Sequence, residues 1–341
     1  MVESKKKTIK INFKDFGTGS DPNDNYFTNI LRMRYNVVIS DNPDYIFYSV
    51  YPEVEEEKGL SEKGDFIRRI SPKLYILIRK LYVKLISKKN PKTLAPKGDF
   101  IKIFYGSEYV KPNMEECDWA FSTYFEEEIN HPHYFRIASG IINDYPFSKY
   151  MKLPLKRNIN FEKTKKEKTK FCNFIYSQEI NSRNNFFEKL SKYKRVDSPG
   201  RCMNNMPQIS HKSPKESRLS KNWVKSKLDF INQYKFTIAF ENRTGDGWTT
   251  EKLTHPLLVG SIPIYFGNKK VGKDFNPKCF INANDFKGVE EVVKHIVRVD
   301  KDDRLYQQYL EQPIFNNKES VYIDNEKKML KILIKIIESK K

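Results

Sequence analysis

Between Phe236 and Asn268 the chain reads as strand, loop, helix and strand. The apolar run Phe236-Thr-Ile-Ala-Phe240 stops at Glu241 and Asn242. A Gly245-Asp246-Gly247 loop follows, and a helix opens at Thr249 or Thr250 with Glu251 and Lys252 in its first turn. A second apolar run, Ile262 to Phe266, comes after Gly260. Two strands joined through a helix demand a parallel sheet with a crossover connection. In open sheets of this kind ligands gather at the carboxyl ends of the strands, where Glu241, Asn242 and the helix N-terminus converge. Free N–H groups and a partial positive charge at that helix start suit a phosphate. Lys252 adds a full charge, and Glu251 can accept from sugar hydroxyls. Spacing alone leaves two readings open: an anion or nucleotide site, or an ordinary βαβ unit with a capped helix.

A chain of 341 residues with 38% hydrophobic and 14% aromatic residues has enough apolar material for about two domains. The net charge of +19 suggests a nucleic-acid binder until it is located. Residues 66–97, 152–170 and 327–341 carry +10, +6 and +5, which exceeds the whole excess and leaves the rest close to neutral. Basic runs outside a neutral body favour a surface role over a basic catalytic domain. Cys117, Cys172, Cys202 and Cys279 are scattered without a CxxC pair, so free thiols in a reducing compartment are expected rather than a zinc site or disulfides. No run of 18 apolar residues and no signal-type N-terminus is seen, so a cytoplasmic protein is expected.

Along the chain, Thr8–Phe13, Val37–Ser40, Tyr45–Val50, Phe100–Tyr105, Trp119–Ser122, Phe171–Tyr176 and Lys278–Ile281 read as strands. Phe27–Tyr35, Arg183–Tyr193, Val289–Val299 and Arg304–Leu310 read as helices, so the expected class is α/β. The expected organisation is an N-terminal α/β domain over 1–151 with a basic insertion at 55–97. A basic linker or exposed hinge follows at 152–170, then a second α/β domain at 171–320 and a basic amphipathic tail at 321–341. Residues 72–89 and 327–339 place leucines, isoleucines and Met329 at helical spacing among lysines and arginines, which predicts basic amphipathic helices. Two uses stay open for them: docking on an anionic membrane face, or packing on the protein with a solvated basic side.

The motif Phe236-Thr-Ile-Ala-Phe-Glu-Asn242, the loop, Trp248-Thr-Thr-Glu-Lys252 and Ile262-Pro-Ile-Tyr-Phe-Gly267 resemble the donor motif of the α-1,3/4-fucosyltransferases, glycosyltransferase family 10, in its soluble bacterial and viral branch. The chain departs from that pattern at Trp248, where the family usually has Tyr. The resemblance runs over roughly residues 171–312. It takes in Ile180–Leu190, whose Arg183 matches an arginine on the donor pyrophosphate, and the segment Asp197–Asn205 with Gly200, Arg201 and Asn204. Phe104-Tyr-Gly-Ser-Glu108 is similar to the bacterial F-Y-x-G-E segment, whose glutamate is the base, with Gly and Ser ordered differently here.

The resemblance implies a GT-B-like architecture, two facing Rossmann-like domains with a cleft between them. It implies inverting transfer of L-fucose from GDP-fucose to a hydroxyl of a GlcNAc- or Glc-containing glycan, of α-1,3 type. Glu108 would be the base, with Glu241 its rival. Arg183, Lys252, Glu251, Asn242, Glu241, Trp248 and Arg201 would hold the donor. No cofactor is obligatory, since cationic side chains can hold the diphosphate. The pattern Asp300-Lys-Asp302 is read as an exposed acidic turn and not as a metal site. A transferase for another GDP-deoxyhexose, and a basic nucleic-acid-binding protein, are the competing readings. No nucleic-acid motif supports the second.

Overall fold

The computed structural model describes residues 6–16, 20–51, 95–106, 108–138, 159–209, 221–316 and 321–339. The chain divides into two compact units, one of residues 1–122 and 126–136, the other of 123–125 and 137–341. In the first unit, β1 (Thr8–Phe16) buries Ile9 and Ile11 and exposes Thr8 and Lys10, the alternation a pleated strand dictates. Asn25 starts α1 (Tyr26–Arg32) by accepting the Thr28 N–H. Then come β2 (Asn36–Ile39), β3 (Tyr45–Tyr51), β4 (Ile101–Tyr105), β5 (Trp119–Ser122), α2 (Glu126–Ile129) and β6 (Tyr134–Arg136). The strands form one sheet in the order β2-β1-β3-β4-β5-β6, and every neighbouring pair is parallel.

The second unit contains α3 (Phe161–Glu167), β7 (Lys170–Asn173), α4 (Asn181–Ser191), β8 (Val196–Asp197), α5 (Lys221–Ile231), β9 (Tyr234–Phe240), α6 (Glu251–Leu258), β10 (Ile262–Phe266), β11 (Ile281–Asn282), α7 (Val289–Lys301), α8 (Asp303–Glu311) and α9 (Val321–Ser339). Its parallel sheet runs β11-β10-β9-β7-β8. Both sheets are doubly wound: the first strand sits beside the second and the third, and winding reverses there. In the second sheet the reversal falls between β7 and β9. One core joins Phe236, Ile238 and Ile264 to Phe186 and Leu190 of α4 and Ile296 and Val299 of α7. Another core joins Ala239 and Tyr265 to Leu253 and Leu257 of α6. Cover on both faces explains why β9 is apolar almost throughout.

Several expectations need correction. Within the expected linker, residues 159–170 are built into the second unit: Asn160 caps α3, and Ile159 and Phe161 pack on its core. Lys168 is buried, its Nζ donating to Asn232 O, Asn232 Oδ1 and Val259 O, so one lysine of the basic run ties down two loops. The strand expected at Lys278–Ile281 is a short 3-10 turn, Pro277–Cys279, followed by the two-residue β11. Pro277 fixes φ there, and Asn276 accepts the Lys278 N–H, which favours a turn over a ladder. The tail helix is present, but Met329, Leu333, Ile336 and Ile337 are fully buried, and Asn325 Oδ1 accepts the Ala138 N–H. Each such side chain gains roughly 1.5–3 kcal/mol by packing on the protein, so this apolar side is not free to enter a bilayer. The insertion helix expected at 72–89 lies outside the described residues. All four cysteines are free thiols. No helix among the described residues is long and apolar enough to cross a membrane.

Candidate functional site

Winding reverses between β7 and β9, the place where ligands bind in sheets of this kind, and past the carboxyl ends of these strands Arg183 meets Tyr176 and Asn242, and Lys252 meets Glu241 and Glu251. After β7 the chain runs to Tyr176. The Tyr176 hydroxyl accepts the Phe240 N–H at 2.7 Å and donates to Ile238 O at 2.9 Å, fastening this loop to the end of β9. Arg183, in the first turn of α4, lays its guanidinium 3.9 Å from the centre of the Tyr176 ring. Its Nη1 donates to Asn242 Oδ1 at 3.1 Å. Arg183 is 1% exposed, yet among the described residues its Nε and Nη2 have no hydrogen-bond partner. A buried cation with two unused donors is costly to the fold and is what a diphosphate requires. Arg183 is thus preset within the interior.

Glu241 directly follows β9 and is buried. Its carboxylate takes the Thr250 N–H at 2.7 Å and the Thr250 hydroxyl at 3.0 and 2.8 Å, with Lys252 Nζ at 3.3 Å. Burial pushes its pKa up, opposed by Lys252 and the Thr250 bonds. Each of these contacts holds the start of α6, so Glu241 positions the helix. Thr250 caps α6 by accepting the Lys252 N–H. Lys252 Nζ also lies 3.5 Å from Glu251 Oε1, and Lys227 Nζ of α5 is 4.0 Å from the same oxygen. Burial raises the Glu251 pKa, but Lys252, Lys227 and His255 more than offset this and hold it below the usual range, charged and able to accept from hydroxyls. Desolvation pulls Lys252 down, but Glu251 and Glu241 hold it above its ordinary value, so it stays a cation.

Trp248 is buried beside this cluster in the chain, its carbonyl 3.4 Å from the Tyr265 hydroxyl. Arg201 is exposed on the loop after β8. Its neighbour Gly200 lies against Tyr176, where an added Cβ would come 2.1 Å from the Tyr176 carbonyl oxygen. Gly200→Ala is therefore expected to cost about 1–3 kcal/mol of stability and to weaken any ligand held by Arg183, since Tyr176 is its platform. Urea unfolding compared with wild type checks this. Glu108 belongs to the first unit, half-buried just past the end of β4, its carbonyl accepting the Val110 N–H at 2.7 Å. The expected exposed acidic turn is corrected at Asp300, which lies in the last turn of α7 with its side chain 5% exposed and engaged by Lys235, Tyr193 and Lys194, while Asp302 caps α8 and Asp303 pairs with Lys165.

Sequence reasoning missed Tyr176 and Lys227. An aromatic just past an apolar strand was the available signal for the first; nothing in its local pattern marked the second.

A family model described as glycosyltransferase family 10 (fucosyltransferase) C-term matches residues 163–331, and one for the alpha-(1,3)-fucosyltransferase FucT N-terminal domain matches residues 11–58. The chain is 32% identical over 195 residues to protein R654 of Acanthamoeba polyphaga mimivirus, covering 57% of this chain and 32% of that one. It is 35% identical over 127 residues to the alpha-(1,3)-fucosyltransferase FucT of Helicobacter pylori, covering 37% of this chain and 24% of that one. The match thus spans about a quarter to a third of those relatives' own lengths. A crystal structure of alpha1,3-fucosyltransferase with GDP-fucose superposes with a TM-score of 0.66 at 21% identity, covering 100% of this chain and 94% of that chain. At that identity the likeness carries the fold.

Proposed function

We propose, from the premise that this chain belongs to glycosyltransferase family 10, the fucosyltransferases, that it transfers L-fucose from GDP-fucose with inversion to a hydroxyl of a GlcNAc- or Glc-containing glycan, in α-1,3 linkage. The observation that carries the donor reading is the buried Arg183 guanidinium, whose Nε and Nη2 have no hydrogen-bond partner among the described residues, near the reversal point of a doubly wound sheet. There the diphosphate would take Arg183 on one side and Lys252 with the start of α6 on the other. Glu251 would accept the ribose hydroxyls and Asn242 a donor hydroxyl. The base is assigned to Glu108: its carboxylate would take the acceptor hydroxyl proton as the oxygen attacks the anomeric carbon and GDP departs.

Labelled GDP-fucose offered with N-acetyllactosamine and with its isomer tests the reading. Transfer to N-acetyllactosamine that other GDP-deoxyhexoses do not outcompete supports it. Preference for another GDP-sugar would move the donor assignment, and no GDP binding by calorimetry would end it. Because cationic side chains supply the counter-charge, turnover is expected to persist in EDTA. Complete loss restored by Mn²⁺ would refute that expectation.

A further inference from the structure

The loop between β9 and α6 is fastened both to β10 and to the loop after it. The Gly245–Trp248 turn is closed by the Trp248 N–H on Gly245 O at 3.2 Å, with Gly247 at φ +82°, the left-handed position glycine fills without strain. Asp246 at the head of that turn meets Lys270 Nζ at 2.9 Å. Asn268 Nδ2 donates to Thr249 Oγ1 at 3.1 Å, and the Tyr265 hydroxyl reaches the Trp248 carbonyl at 3.4 Å. The last two contacts are buried. The Asp246–Lys270 pair is the one on the solvent side, with side chains 31% and 41% exposed. Thr250, which clamps Glu241 and caps α6, lies four residues beyond Asp246.

We infer that Asp246 and Lys270 are a positioning pair that holds this loop, and through it the start of α6, in the form that receives the donor diphosphate. A carboxylate in a loop that borders an anion site works against binding by charge alone. Its presence makes sense when Lys270 neutralises it and the pair closes the Gly245–Trp248 turn against the β10 loop. The inference rests on the donor reading above, and the sign of one substitution separates the two ideas. If only charge mattered, Asp246→Ala would tighten GDP binding; a positioning role makes it weaker.

The experiment has two arms on the full chain. In the ligand-free protein, hydrogen exchange at the Trp248 and Thr250 amides is expected to speed up about 2–5-fold in Asp246→Ala, the scale of a partly exposed ion pair. It should return toward wild type in Asp246→Lys with Lys270→Asp, and the difference should shrink at high salt. In the second arm, GDP titrated into each variant by calorimetry should show a parallel 2–5-fold loss in Asp246→Ala and recovery in the exchanged pair. Unchanged exchange, or tighter GDP binding in Asp246→Ala, overturns the pair. Failure of the wild type itself to bind GDP brings down the donor reading, and the exchange arm still decides whether the pair holds the loop.

Discussion

Glu108→Gln is expected to turn over about 10²–10⁴-fold more slowly than wild type at saturating donor, with GDP affinity nearly unchanged. The amide matches the carboxylate in shape but cannot take a proton, so the loss falls on kcat. Glu108 follows β4 in the first unit, whereas Arg183, Glu241 and Lys252 are all in the second. Glu241 cannot readily substitute for it, since both its carboxylate oxygens accept from Thr250. Steady-state kinetics with a parallel GDP titration check the split. Near wild-type turnover in Glu108→Gln removes it as the base, and a matched fall in GDP affinity would mean the residue supports the fold.

How much of this was legible beforehand follows from where each signal lies in the chain. The β9–α6–β10 unit was readable because its apolar runs, glycines and cap are contiguous, and Glu241, Asn242, Glu251 and Lys252 follow from it directly. The reversal between β7 and β9 was not readable, because strand order depends on pairings across about 60 residues that no local pattern reports. Arg183 shows the consequence. Its place near a phosphate came from resemblance, but its burial on Tyr176 depends on a loop and a helix meeting in space. The basic segment at 159–170 was misread for a related reason. Lysine content signals exposure on average, yet Lys168 finds three acceptors at the ends of distant elements and is buried by them. In α9 the helical spacing predicted the helix correctly. Spacing names an apolar side without naming what covers it, and here the protein itself does.

Arg183→Met should separate binding from stability more sharply than any other substitution in the second unit. Methionine fills much of the same volume without the charge. The variant loses the stack on Tyr176 and the bond to Asn242, worth roughly 1–3 kcal/mol together. It also sheds two buried donors that have no partner among the described residues, a burden of about 1–3 kcal/mol each. The second contribution equals or exceeds the first, so the ligand-free variant is expected to be as stable as wild type or more so. GDP binding is expected to weaken by at least about 1.5–3 kcal/mol, or 10–150-fold, the range for hydrogen bonds to a charged group. A group held at the expense of stability because the ligand needs it shows this pattern of opposite signs. Urea unfolding with and without GDP, beside calorimetric titration, reads both quantities. Clear destabilisation of the ligand-free variant with unchanged GDP affinity would make Arg183 a structural cation and would move the diphosphate away from the carboxyl ends of β7 and β9.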